Sequence, residues 1–165
     1  MAMTLPVPIE FLPPEGWFPA DLEKADATDV AFAVVHPQPD AGFAANITVD
    51  GEYRPDTATL TELADKSVER LRNVADSVVV TDCREIGSPD APALIQRLVF
   101  SVGFGDARRE LVQSQVYLPM LDVADSREWA VVRLALTATA AQHDTVLGDF
   151  QDFVRTVRPG TGTGI

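Results

Sequence analysis

The chain has few of the residues on which many functional sites depend. It contains one cysteine and two histidines among 165 residues. A single cysteine excludes an internal disulfide, and a structural zinc site needs several cysteine or histidine ligands. His36 and His143 lie far apart in the sequence, so we predict neither a metal site nor a cofactor. Cys83 lies in a predicted strand, where we expect a small buried residue rather than a nucleophile.

Positive charge is also scarce. The chain has 13 basic and 25 acidic residues, which give a formal net charge of −12. Affinity for nucleic acid depends on cationic side chains that displace counterions from phosphates. We therefore expect no nucleic acid partner and no anionic membrane surface.

Long apolar runs are missing as well. No run approaches the roughly 20 residues that a membrane span requires. The first residues show neither a basic region nor a long apolar stretch, so we expect a cytoplasmic protein without membrane association. The length suits one domain, which we place at residues 1–159, followed by a flexible tail at 160–165.

The common catalytic motifs are absent too. No Gly-x-Ser-x-Gly pattern occurs, and Ser88 and Ser114 lie in no recognisable hydrolase motif. Gly103 and Gly105 lie in a turn between strands, whereas a phosphate-binding loop leads into a helix N-terminus. We therefore predict no catalytic residues and no enzymatic activity.

Periodicity indicates two helices. Thr59 and Glu62 match a capping box, and an apolar stripe from Leu60 to Val74 follows at helical spacing. The second helix is predicted over 140–157, with another capping box at Thr139–Gln142. We expect His143 to be exposed in its first turn and Gly148 to allow close packing on the sheet.

Strands account for most of the remaining chain. A short edge strand is expected near residues 7–11, and Val30–Val35 and Phe43–Val49 read as a hairpin. Four strands follow, at Val78–Ile86, Ala93–Val102, Arg109–Leu118 and Glu128–Thr139. Their connections are too short for a crossover helix, so they form an antiparallel meander. The fold class is α+β, with a central sheet of six to seven strands.

Polar side chains occur among the apolar residues of three strands of this meander. If the registers agree, most of them project from one sheet face and line a small pocket under a helix. The alternative is a half-exposed face, with an arginine stacked on a tryptophan. The candidate ligand-binding or partner-binding residues are Gln96, Gln113, Gln115, Tyr117, Trp129 and Arg133.

Four stretches resemble the actinobacterial LpqN/LpqT proteins of the wider Mog/PsbP-like group. They are Phe11–Trp17, Gly42–Val49, Gln113–Gln115 and Phe150–Val157. The resemblance covers about residues 9–158, and it implies a sheet with helices on both faces, an α/β/α sandwich. Members of that group act mainly in binding or assembly, and no catalytic residues are carried over.

Three hypotheses about function follow. The first is a non-enzymatic protein-interaction or assembly module with an unidentified protein partner. The second is a small-ligand-binding domain that uses the polar sheet face, and the third is an unrecognised enzyme. A homodimer formed through an edge strand is a further alternative.

Overall fold

The computed structural model describes residues 9–20, 31–40, 42–53, 59–88, 91–104, 107–121 and 129–159. Within these residues the helices are α1 (Leu60–Arg72) and α2 (His143–Thr156). The strands are β1 (Ile9–Glu10), β2 (Phe18–Pro19), β3 (Phe32–Val35), β4 (Asn46–Tyr53), β5 (Asp76–Ser88), β6 (Ala91–Phe104), β7 (Ala107–Leu121), β8 (Trp129–Thr139) and β9 (Arg158–Pro159). The predicted tail at 160–165 lies outside the described residues.

Seven of the strands form one antiparallel sheet in the order β2-β3-β4-β8-β7-β6-β5. The predicted meander is therefore confirmed, since β5 to β8 are neighbours in sequence and in space. β5, β6 and β7 are longer than predicted, because their pairing continues toward the turns, whereas β8 ends at the predicted Thr139. β1 does not join this sheet but pairs with β9, and an ion pair between Glu10 and Arg158 at 3.0 Å accompanies the pairing.

The two helices cover opposite faces of the sheet. Leu60, Leu63 and Ala64 of α1 pack on Leu94, Tyr117 and Val131. The other face carries the largest apolar cluster of the described residues, to which α2 contributes Val146, Phe150 and Phe153. Both faces are thus covered by a helix, as the resemblance to the Mog/PsbP-like group implied. The predicted α+β fold, with two helices flanking an antiparallel sheet, is confirmed.

The start of α1 is the predicted one, but the start of α2 is not. The hydroxyl of Thr59 accepts the backbone N–H of Glu62 at 3.1 Å. At the second site the hydroxyl of Thr139 accepts the N–H of Gln142 at 3.2 Å, yet the helix begins only at His143. The intervening residues form a turn, because the ladder of β8 continues as far as Thr139.

Two further expectations about the helices are wrong. Val74 lies beyond the end of α1, and 77% of it is exposed. Gly148 lies on the exposed side of α2, where a Cβ atom would meet no atom within 4 Å, so it permits no close packing. In the part of the chain that the structure describes, no helix is long and apolar enough to cross a bilayer.

Candidate functional site

The predicted polar residues occupy one face of the sheet. Gln96 of β6 faces Gln115 of β7, and Tyr117 of β7 faces Arg133 of β8. Residues that face each other across a ladder share a sheet face, and every second residue along a strand returns to it. Gln113 therefore belongs to the same face, and we call these five residues the polar cluster. The backbone of Trp129 lies at a register position of this face, opposite Leu121, but its side chain is outside the described residues.

Hydrogen bonds link the three glutamines of the polar cluster under α1. The amide of Gln96 donates to the Ala64 carbonyl at 3.3 Å and to Oε1 of Gln115 at 2.9 Å. The amide of Gln115 donates to Ser67 Oγ at 3.1 Å and also to Oε1 of Gln113. Gln96 and Gln115 are almost fully buried, at 3% and 2% exposure. Both buried amides therefore already have protein acceptors.

Arg133 extends this network to β4. Its Nη1 donates to Ser67 Oγ at 2.9 Å, and its Nε donates to Asp50 Oδ2 at 3.1 Å. The side chains of Arg133 and Asp50 are 20% and 15% exposed. Burial opposes the charge of Arg133, but Asp50 and the Tyr117 hydroxyl raise the pKa of the guanidinium above its ordinary value. Burial also raises the pKa of Tyr117, so its hydroxyl stays protonated and donates to Gln115.

A buried network with satisfied donors holds its elements in one arrangement. Here it joins α1, through Ala64 and Ser67, to three strands of the sheet. This role is packing, and it corresponds to neither the predicted pocket nor the half-exposed face. Binding of a ligand or partner by these residues stays a prediction.

A cleft of about 320 Å³ lies on the opposite face, between α2 and strands β5 to β7. We call it the α2 cleft. The apolar residues that line it are Ile86, Ile95, Val116, Leu147, Phe150 and Val154. No sequence pattern indicates this cleft, because the apolar stripe of α2 reads as core throughout, and nothing local shows that the helix leaves part of the sheet uncovered.

Arginines surround the α2 cleft although the chain is strongly acidic. Arg84 pairs with Asp82 at 3.1 Å, and Arg155 pairs with Asp152 at 2.9 Å. Arg97 also lines the cleft, and its Nε donates to Ser114 Oγ at 3.4 Å. The cleft thus combines an apolar wall with three arginines, two of which are paired with carboxylates, and Asp82 also lines it.

A serine and a histidine meet beside the α2 cleft. Ser114 Oγ lies 2.9 Å from His143 Nε2, and His143 Nδ1 lies 3.5 Å from Asp144. His143 is 2% exposed, so the expectation of an exposed histidine is wrong. Burial, together with the charge of Arg97, lowers the pKa of His143, while Asp144 acts in the opposite sense. The imidazole is therefore neutral near pH 7.

Ser114, His143 and Asp144 contact one another in the serine–histidine–carboxylate order of a hydrolase triad, but the resemblance ends there. In a triad the carboxylate is buried and fixes the tautomer of the histidine. The side chain of Asp144 is 94% exposed, and its 3.5 Å contact exceeds hydrogen-bond length. The serine is only 7% exposed. The Ser114–His143 contact therefore serves to attach the first turn of α2 to β7.

Strand β5 forms one edge of the seven-stranded sheet. Its exposed apolar side chains are Val79, Val80 and Ile86. Cys83 is exposed on this strand, so the expectation of a buried cysteine is wrong. Burial of part of the side chain, then the charges of Asp65, Asp82 and Glu85, raise the pKa of the thiol, which disfavours the nucleophilic thiolate.

The described residues contain no group of three or more histidine, cysteine, aspartate or glutamate side chains that could hold a metal ion. The polar cluster holds neutral amides, a phenol and an arginine, and the α2 cleft is lined mainly by apolar residues and arginines. Amides, a phenol and guanidinium groups are poor ligands for a transition metal.

No family model and no curated protein sequence matches the chain. Solved structures do match it. LpqN of Mycobacterium tuberculosis, which is involved in cell envelope biogenesis, is 16% identical with a TM-score of 0.59, over 90% of this chain and 81% of that one. The cyanobacterial PsbP of Synechocystis is 18% identical with a TM-score of 0.59, over 92% of this chain and 86% of that one.

The Ran-binding protein Mog1p of Saccharomyces cerevisiae also matches. It is 15% identical with a TM-score of 0.57, over 92% of this chain and 89% of that one. At such identities the likeness concerns the fold alone. The chain is therefore similar in fold to Mog1p, PsbP and LpqN, which confirms the fold group that the sequence indicated.

Proposed function

We propose that this chain is a non-enzymatic protein-interaction module that binds its partner at the α2 cleft. The observation that carries the proposal is the open apolar wall between α2 and β5–β7, with Arg84, Arg97 and Arg155 around it. Apolar surface gives affinity, and charged groups at its border select the partner by their sign. The expected partner segment is apolar and acidic.

The fold comparisons support a binding role at a coarse level. Mog1p is a Ran-binding protein, and LpqN is involved in cell envelope biogenesis. From these two proteins we take only an interaction or accessory role into the proposal for this chain. A closer relation to the actinobacterial LpqN/LpqT branch and a cytoplasmic location are parts of the same proposal, supported by the sequence stretches given above.

A substitution that blocks the α2 cleft tests the proposal. Gln151 is an exposed residue of α2 that lines the cleft, so Gln151→Trp fills it without disturbing the core. The matched control is Thr61→Trp, an exposed polar residue of α1 on the opposite face. In quantitative pulldowns from the native host, a genuine partner is retained by wild type and Thr61→Trp and lost with Gln151→Trp. A partner retained equally by all three chains would contradict binding at the cleft.

The proposed lack of enzymatic activity can be tested separately. The exposed Asp144 and the buried serine give Ser114 no activated hydroxyl. We expect no labelling of Ser114 by a fluorophosphonate probe and no difference between wild type and Ser114→Ala in hydrolysis of p-nitrophenyl acetate. Stoichiometric labelling that disappears in Ser114→Ala would identify a hydrolase instead.

A second candidate function is binding of a small ligand in the same cleft. Its volume of about 320 Å³ lies at the lower end of the range for ligand pockets, roughly 300 to 1,000 Å³. The expected ligand is an apolar molecule with one anionic group, which an arginine at the border would pair. Native mass spectrometry of the protein purified from its host would show such a ligand as a defined mass increment, absent in Gln151→Trp.

A further inference from the structure

The outer edge of β5 is a surface suited to strand pairing. Among the described residues β5 pairs only with β6, so its other edge presents backbone N–H and C=O groups without a ladder partner. Such an edge is a template on which another strand can add. The opposite end of the sheet is β2, which has two residues. As far as the structure describes these two edges, β5 alone is long enough for an extended pairing.

Two irregularities restrict where the added strand can pair. The register of β5 shifts between Asp76 and Val79 and again between Val80 and Asp82. From Asp82 to Ser88 the ladder with β6 runs without interruption. Asp82, Arg84 and Ile86 line the α2 cleft, whereas Cys83 faces Gln96 and belongs to the α1 face.

The charges of this regular segment are arranged for pairing with a second copy. In a symmetric antiparallel pair the two-fold axis passes midway between one residue and the same residue of the second copy. The preceding residue of each copy then faces the following residue of the other copy. An axis through Asp82, Arg84 or Glu85 would place two like charges opposite each other, which is unfavourable. An axis through Cys83 places Asp82 of each copy opposite Arg84 of the other. Over Asp82–Ser88 no other axis brings opposite charges together.

We propose that β5 pairs with β5 of a second copy, antiparallel and centred on Cys83, to form a weak symmetric homodimer. The seven-stranded sheet then continues across the axis. Both Asp82–Arg84 pairs lie on the α2 face, so the α2 clefts of the two copies join into one trough. Pairing does not depend on whether the cleft binds a partner.

The dimer is expected to be weak for two reasons. The register shift next to Asp82 limits regular pairing to three residues from each copy, Asp82 to Arg84, fewer than in an average strand. Each copy also carries a net charge of −12, and the repulsion between two such copies decreases as salt screens it. Association is therefore expected at high micromolar concentration and at moderate rather than low ionic strength.

Charge reversal tests the register by sedimentation equilibrium. Asp82→Arg and Arg84→Asp each replace two attractive pairs by two repulsive pairs, so each weakens association about tenfold. The double variant Asp82→Arg/Arg84→Asp restores the attractive pairs and therefore restores association. The two single variants change the net charge in opposite directions, so a general charge effect would shift association in opposite directions instead.

Glu10→Arg and Arg158→Asp are the matched controls. These residues form an exposed ion pair between β1 and β9, which lie outside the seven-stranded sheet, and each substitution changes the net charge by the same amount as its counterpart on β5. Neither is expected to weaken association. A wild type that stays monomeric at about 1 mM overturns the proposal, and so do single variants that associate like wild type. If wild type stays monomeric, the outer edge of β5 would be free to pair with a strand of a different protein.

Cross-linking of Cys83 tests the centre of the pairing. In the proposed register the two thiols face each other across the axis. Diamide at pH 8.5 accepts two electrons and two protons from the pair of thiols, which form one disulfide between the copies. The cross-linked dimer is expected to form quickly in wild type, slowly in Asp82→Arg although loss of Asp82 lowers the pKa of the thiol, and not at all in Cys83→Ser. To correct for that pKa effect, each cross-linking rate is divided by the rate at which iodoacetamide alkylates the same protein. Equal corrected rates in wild type and Asp82→Arg would overturn the register.

Discussion

Ser114 and His143 form a buried hydrogen bond of 2.9 Å between Oγ and Nε2. The bond connects the middle of β7 to the first residue of α2, where the helix has no side-chain cap. A single buried imidazole thereby fixes the start of the helix that forms one wall of the α2 cleft.

Acidification is expected to destabilise the protein through His143. Burial lowers the pKa of this imidazole in the folded state, so the unfolded chain binds more protons below its ordinary value of about 6.5. Stability from this group is complete above about pH 6.5 and is lost as the pH falls toward the folded-state pKa. Urea unfolding between pH 7.5 and 5.5 should show a smaller loss in His143→Gln than in wild type. An equal loss in the two proteins would contradict this account.

Removal of Arg133 is expected to be costly. The substitution Arg133→Met leaves Asp50 as a largely buried carboxylate without this partner, and one-sided loss of a buried pair costs about 2–4 kcal/mol. Arg133→Met/Asp50→Asn should cost less than the sum of the two single changes, as measured by a double-mutant cycle in chemical denaturation. Arg72→Met removes an exposed pair with Glu69 and should stay within about 0.5 kcal/mol. Additive losses would show that the two side chains do not interact.

Gly148→Ala is expected to stabilise the protein by about 0.5–1 kcal/mol. Glycine is unfavourable inside a helix, and a Cβ atom here meets nothing within 4 Å. Gly16→Ala is the contrasting variant, because it has equally open space but a φ of +85°. At position 16 the substitution should lower the free energy of unfolding by about 1–2 kcal/mol. Thermal unfolding of both variants separates the effect of backbone conformation from that of packing, and changes of the same sign would contradict this account.

Alkylation of Cys83 is expected to be slow despite its exposure. Its pKa is raised by partial burial and then by Asp65, Asp82 and Glu85, so little thiolate exists near pH 7.5. The rate of reaction with iodoacetamide should rise about two-fold in Asp65→Asn, whereas Asp152→Asn should react like wild type. A rate equal to that of free cysteine in all three proteins would refute the electrostatic argument.

The meander could be predicted from sequence because it follows from chain connectivity. Loops too short for a crossover helix leave β5 to β8 no arrangement but antiparallel neighbours. The common face of Gln96, Gln115 and Arg133 also followed from alternation, once the registers proved regular. What alternation could not show was that α1 covers this face and that its side chains satisfy the amides.

The wrong expectations about the burial of Cys83 and His143 share one cause, since burial depends on which element lies nearby in space. Cys83 has the local pattern of a core strand, but β5 is the outermost strand of the sheet. His143 sits in the first turn of a helix, a position that is usually exposed, but the turn after β8 directs it toward Ser114. The α2 cleft likewise depends on where α2 lies over the sheet, which no local pattern encodes.

The pairing of β1 with β9 has a practical consequence for engineering. Ile9 faces Pro159 across this two-stranded ladder, so the start and the end of the described fold lie about one strand spacing apart, roughly 5 Å. A host protein could therefore accept residues 9–159 as a graft in a surface loop whose two anchor points stay close together.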